Sequence, residues 1–193
     1  MRHLLTSSAT ALALAVTMST AHAEPEHYNL DTEHSFIQFK ISHLGFSWLV
    51  GRFNDFEGEF TYDPDEPANS EVNVTVQTQS IDSNHSERDR HLRDDDFLDV
   101  SEYPEARFVS TDFERTGEGE YTLNGELTLH GTTRPISIDV THVGAGEDPW
   151  GEYRRGFEGT VTLTRADFGI DYDLGEEAEE VEMYLSVEGI RQD

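Results

Sequence analysis

The chain contains no cysteine and a single lysine, Lys40. Without thiols there is no disulfide, no thiolate nucleophile and no cysteine-based metal site. Basic residues are scarce as a class: 13 Lys and Arg face 40 Asp and Glu, giving a formal net charge of −27. That balance repels phosphate backbones, so nucleic acid is not an expected partner, and it opposes electrostatic docking on anionic lipid. It suits a protein that works in high salt, where the screening length falls to about 3 Å at 1 M and self-repulsion fades. Long apolar runs are also missing, apart from Ala9 to Met18 near the start. This run is well short of the roughly 20 residues that span a bilayer. Met1-Arg2-His3 precedes it and Ala21-His22-Ala23 follows, with small residues at both positions that a signal peptidase reads. Residues 1–23 are therefore expected to be a cleaved export signal and residues 24–193 the mature, periplasmic domain, with no stable membrane insertion. Loss of Arg2 would leave the mature charge at −28.

What is present is alternation. Apolar residues recur at every second position in eight sets: Ile37 to Ile41, Phe56 to Tyr62, Val72 to Val76, Ala106 to Phe113, Tyr121 to Leu129, Ile136 to Val140, Phe157 to Leu163 and Val181 to Val187. A period of two marks strands with one buried and one wet face. The fourth set alternates less cleanly than the others. Turn signals such as Asp63-Pro64-Asp65, Gly117-Glu118-Gly119 and His130-Gly131-Thr132 separate the runs. Eight amphipathic strands fit a sandwich or a closed barrel, and periodicity alone leaves both open. One segment, Ser83 to Leu92, reads instead as a short helix between the third and fourth strands. Asn84 is its expected N-cap, with Glu87 three residues on.

Chemistry-bearing motifs are few. Of nine histidines, His3 and His22 belong to the export signal, and His85 and His91 are six apart on a short helix, which is not ligand spacing. No metal site is expected. Carboxylates are so abundant that a pair carries no information about acid–base catalysis. No Gly-x-Ser-x-Gly elbow occurs. The densest polar cluster is the helix with Arg88, Asp89, Arg90, His91 and Arg93, which reads first as a lid anchored by ion pairs.

Several ordered motifs resemble the YceI-like family of lipocalin-like, polyisoprenoid-binding proteins. They begin with Tyr28-Asn29-Leu30-Asp31, His34 to Phe39, His43-Leu44-Gly45 and Gly51-Arg52-Phe53. The most specific run is Arg88 to Arg93, continuing through Asp96-Phe97-Leu98-Asp99 to Tyr103-Pro104. Gly125 to Pro135 and Arg165 to Ile170 complete the set. Leu98 stands where a second aromatic is common, and Thr133-Arg134 replaces a more usual Thr-Lys. The resemblance implies an all-β, eight-stranded antiparallel lipocalin-like barrel holding an isoprenoid quinone or polyprenyl phosphate, without a cofactor or a catalytic step. It also implies a homodimer, since homodimers occur in the family. On that footing Phe39, Phe60, Leu127, Ile138, Phe157 and Met183 are the candidate tunnel lining. Arg88, Arg90, His91 and Arg93 are the candidates for a head-group contact or lid. Gly58, Gly125 and Gly159 fall on the inward alternation and are expected to leave room for the ligand. Two other roles fit the same barrel: an enzyme acting on an apolar substrate, or a stress-protective protein whose barrel is packed solid.

Overall fold

The computed structural model describes residues 24–192, so the expected export signal lies outside the described residues. The strands are β1 (Glu26–Leu30), β2 (Phe36–His43), β3 (Ser47–Phe53), β4 (Phe56–Tyr62), β5 (Val72–Gln77) and β6 (Ile81–Asp82). The helix α1 (Ser86–Arg93) follows, then β7 (Glu105–Arg115), β8 (Glu120–Leu129), β9 (Thr132–Glu147), β10 (Tyr153–Thr164) and β11 (Glu180–Arg191). All eleven segments belong to one antiparallel sheet.

The segments build eight strands, because three strands are interrupted. β11 runs beside β2 from Val181 to Ser186 and beside β1 from Gly189 to Arg191, so β1 and β2 are halves of one strand. β3 and β4 are likewise halves of the next, since β3 pairs with β2 and β4 with β1. The third strand is β5 and β6, broken by a short 3-10 turn at Thr78–Ser80. Each strand pairs with its neighbour in sequence, and the β1–β11 pairing closes the ring. The result is an up-and-down eight-stranded barrel, which leaves no open edge around most of its circumference. The sequence's eight alternating sets correspond to these eight strands.

Two local features depart from the simplest reading of the alternation. The fourth strand alternates poorly because β7 carries a bulge: the register with β8 shifts between Ser110 and Asp112. The extra residue moves the inward set from Ala106 and Phe108 to Phe113. The helix lies between the third and fourth strands as expected, but its cap is one residue later. His85 is the N-cap, and its Nδ1 accepts from the Arg88 N–H at 3.3 Å. Asn84 instead takes a left-handed turn, φ 63°, with its N–H donating to Asp82 Oδ1 at 2.8 Å. A left-handed residue cannot be the extended Ncap, and asparagine tolerates that conformation better than histidine. Glu87 accordingly faces solvent and pairs with Arg90.

The inward faces form two apolar clusters. One half of the barrel is packed by Tyr28, Phe60, Tyr62, Phe108, Phe113, Tyr121, Leu123, Ile138 and Val140. The other half holds Phe39, Ile81, Phe97, Leu98 and Ile170, with Leu92 of α1 and Met183 against them. Arg93 fixes α1 in place, donating from Nε to the Gln79 carbonyl at 2.8 Å and from Nη2 to the Ile81 carbonyl at 2.6 Å. The helix and the loop after it thereby fill the gap between β6 and β7.

Candidate functional site

Between these two clusters lies an apolar cavity of about 680 Å³, within the roughly 300–1,000 Å³ usual for small-molecule sites. The barrel is therefore not packed solid. All six candidate lining residues, Phe39, Phe60, Leu127, Ile138, Phe157 and Met183, face this lumen. They do so because each lies on the inward alternation of its strand, and the barrel turns every inward alternation towards one axis.

The glycines act differently from the expectation. A Cβ on Gly125 would collide with the Phe108 ring and would stand 2.6 Å from the Val109 carbonyl oxygen. The space that Gly125 leaves is already taken by that ring. Phe39 covers Gly51 and Phe60 covers Gly189 in the same manner. At Gly58 the space is filled by Val74 and Leu30, and of the three predicted glycines only Gly159 lines the lumen itself. The glycines let aromatic rings lie flat on the wall, so they widen the lumen indirectly.

One end of the lumen is sealed. Its floor is Tyr62, Phe113 and Phe157, whose rings meet at 5.6 to 6.5 Å. Beneath them Arg155, only 8 % exposed, is held from three sides. Its Nε donates to the Tyr28 hydroxyl at 3.0 Å, Nη2 to Glu26 Oε2 at 2.9 Å and Nη1 to His142 Nε2 at 3.2 Å. The guanidinium also lies 4.3 Å from the centre of the Tyr62 ring. The Tyr28 hydroxyl donates in turn to Glu26 at 2.6 Å, and Tyr62 and Tyr121 share a hydrogen bond of 2.9 Å. Burial, with Glu26 beside it, pushes the Tyr28 phenol up to about 12. Burial opposes ionisation of Glu26 too, but hydrogen bonds from Tyr28 and Arg155 hold its carboxyl below the ordinary range. Burial and the adjacent Arg155 cation lower the His142 imidazole, so it is neutral and accepts from Arg155. Sequence reasoning left this plug unread. Its signal was present: extending the alternation one step outward from Phe157 reaches Arg155, and Tyr62 already ends the alternating set on β4.

The other end reaches the surface at Leu44 and Tyr172, 59 % and 39 % exposed. Arg88 and His91 of α1 line this mouth; Arg90 and Arg93 do not. Arg88 donates from Nε to Ser83 Oγ at 2.7 Å and from Nη2 to the Ser83 carbonyl at 2.5 Å, while the buried Asp89 accepts from the Ser83 N–H and hydroxyl. His91 bonds Asp96 at 2.9 Å and sets its ring edge-on to Phe97 and Tyr172. Arg90 is exposed, with Glu87 and Asp94 as partners, because it points away from the barrel. Arg93 is committed to the carbonyls of Gln79 and Ile81. A further mouth residue, Arg165, went unassigned in the sequence, although it begins one of the recognised motifs. It lines the lumen and ties down the loop after β10, donating to the carbonyls of Ala178 at 2.8 Å and Tyr172 at 3.1 Å.

On the outer wall Asp31, His34 and Glu188 present ligand atoms close together. The Arg154 guanidinium already occupies that position, bonding Asp31 at 2.5 Å and Glu188 at 2.6 Å. No helix among the described residues is long and apolar enough to cross a membrane.

Comparison with known proteins agrees with this architecture. A UPF0312 protein of Pseudomonas aeruginosa is 51 % identical over 192 residues, covering 98 % of this chain and all of that protein. Among solved structures, Burkholderia cenocepacia BcnA superposes with a TM-score of 0.74 at 22 % identity, over 82 % of this chain and 98 % of that one. A polyisoprenoid-binding domain from Saccharophagus degradans, implicated in plant cell wall breakdown, gives 0.65 at 16 % identity over 86 % and 98 %. The YceI-like domain family matches residues 28–189, nearly the whole barrel, and the chain belongs to that family.

Proposed function

We propose that this protein is an exported, periplasmic carrier that holds the tail of an isoprenoid lipid in its lumen, without a catalytic step. The observation that carries this reading is the lumen itself: apolar along its length, sealed at one end and reaching the surface at the other. A linear tail with one polar end fits a blind tube of this kind, with the head at the mouth near Arg88, His91 and Arg165. Those donors match the carbonyls of a quinone or the oxygens of a polyprenyl phosphate.

Energetics favours carriage over permanent capture. Each methylene buried from water contributes about 0.8 kcal/mol, so a five-carbon isoprene unit gains about 4 kcal/mol. The tail, however, normally sits in lipid and is already dry. Exchange between bilayer and barrel is then nearly balanced, and contacts at the head set its direction. The test is organic extraction of natively purified protein followed by mass spectrometry. A stoichiometric isoprenoid is the expected result and identifies tail and head together. A clean extract from folded protein would overturn the carrier reading.

A further inference from the structure

The β2–β3 hairpin combines three independent features. In a chain with 40 acidic residues, positions 34–54 contain none, and this is the longest acid-free stretch after Glu24. The hairpin tip exposes large apolar side chains among the described residues: Leu44 at 59 %, Phe46 at 86 % and Trp48 at 58 %. Its turn is also strained. Leu44 adopts φ 54°, a left-handed conformation that a leucine enters only at a cost, and its side chain gains little packing in return. Glycine or asparagine would make the same turn more stably. Strain held at an exposed leucine points to use of that side chain outside the folded chain. Leu44 is also continuous with the lumen, since it lines the mouth.

We infer that this hairpin tip docks the mouth of the barrel on a lipid bilayer of little net surface charge. The inference rests on the carrier reading for its purpose, but the surface is argued from the hairpin alone. Leu44 and Phe46 would enter the boundary between head groups and acyl chains, with the Trp48 ring at head-group level, where amphipathic aromatics settle. The two nearby cations add little attraction, because Lys40 is paired with Glu182 and lies over Trp48, and Arg52 faces Asp82. Across the mouth, Glu177 packs beside Gly45 and repels lipid phosphates. Three apolar side chains against that repulsion make contact that is reversible, as delivery requires, and select a zwitterionic surface over an anionic one.

The two tryptophans allow a direct test, because Trp150 is 83 % exposed in a different loop, flanked by Asp148 and Glu152. Phosphatidylcholine vesicles with brominated acyl chains are added to purified Trp150→Phe and Trp48→Phe proteins. Quenching of Trp48 in the first and none of Trp150 in the second is the expected result; no quenching, or equal quenching of both, overturns the docking. Phe46→Asp, at a position outside the lumen lining, is expected to lower vesicle partitioning about tenfold or more. Its extractable lipid should be unchanged. If Phe46→Asp instead splits a dimer in the absence of vesicles, the tip covers a second copy and the docking is overturned. Lipid-loaded protein that ignores vesicles refutes the docking and spares the carrier reading. Quenching with a lipid-free extract does the reverse.

Discussion

The two ends of the barrel both place arginine on the inward face and put it to opposite uses. At the floor, Arg155 is neutralised by Glu26 and enclosed by Tyr28, Tyr62 and His142. At the mouth, the hydrogen bonds of Arg88 and Arg165 run to hydroxyl and carbonyl oxygens. Neutral acceptors position a guanidinium without cancelling its charge. A paired and enclosed arginine is a seal, whereas one whose hydrogen bonds run to neutral oxygens, with the carboxylates of Asp171, Asp173 and Glu179 only in its vicinity, holds its donors at the rim. The lumen between them thus has a direction built into it.

The strongest way to break this comparison is to remove the charge at each end in turn. Arg155→Met leaves the Glu26 carboxylate, the Tyr28 hydroxyl and the His142 lone pair without their donor. We expect a loss of about 3 kcal/mol, the lower end of the range for breaking a buried pair, because Glu26 retains some water. Arg165→Met leaves only neutral carbonyls without their donor, those of Ala178, Ile170 and Tyr172, and should cost about 1 kcal/mol. Urea denaturation of the two variants measures the difference. Equal losses would mean that Arg155 is not a seal.

A second, smaller effect separates the wall from the ends. Gly125→Ala drives the Phe108 ring off the wall and into the lumen. The overpacking should cost about 2 kcal/mol and reduce the lipid recovered per protein. Gly146→Ala, where an added Cβ meets nothing within 4 Å, should change neither. Unchanged lipid content in Gly125→Ala would show that the ligand does not reach the middle of the barrel.

How much of this was legible in the sequence follows from the period of two. Wherever strands are regular, the alternation puts Phe39, Phe60, Leu127, Ile138, Phe157 and Met183 on the inward face, because closure of a barrel preserves the inward face of each strand. It blurs at Ser110–Asp112, where a bulge inserts a residue, and it gives no warning that β1 and β2 are one strand interrupted at 31–35. Alternation also reports direction but not what fills the space, so Gly125 looked like an opening when Phe108 already covers it. The arginines of α1 share one short helix and differ only by which side faces the barrel. Their separation into Arg88 at the lumen, Arg93 on the Gln79 and Ile81 carbonyls and Arg90 in solvent depends on tertiary docking that no local pattern encodes.

The smallest effect concerns how the floor seal responds to acid. Burial and Arg155 lower the His142 imidazole below its ordinary 6.5, so the unfolded chain takes up a proton there before the folded one does. The seal's contribution is complete above about pH 6.5 and is lost as the pH falls through the lowered folded value. His34 has the opposite sign: Asp31 raises it, so its contribution is present below 6.5 and disappears as the pH rises through the raised value. Its exposed position makes that contribution the lesser of the two. Urea midpoints should therefore fall between about pH 7.5 and about pH 5.5, before the paired carboxylates Glu26 and Asp31 begin to titrate. His142→Gln keeps an acceptor for Arg155 but has nothing to protonate, and it should flatten that window while leaving the mouth unaltered. A variant that retains the full slope would show that His142 does not carry the acid response of the floor.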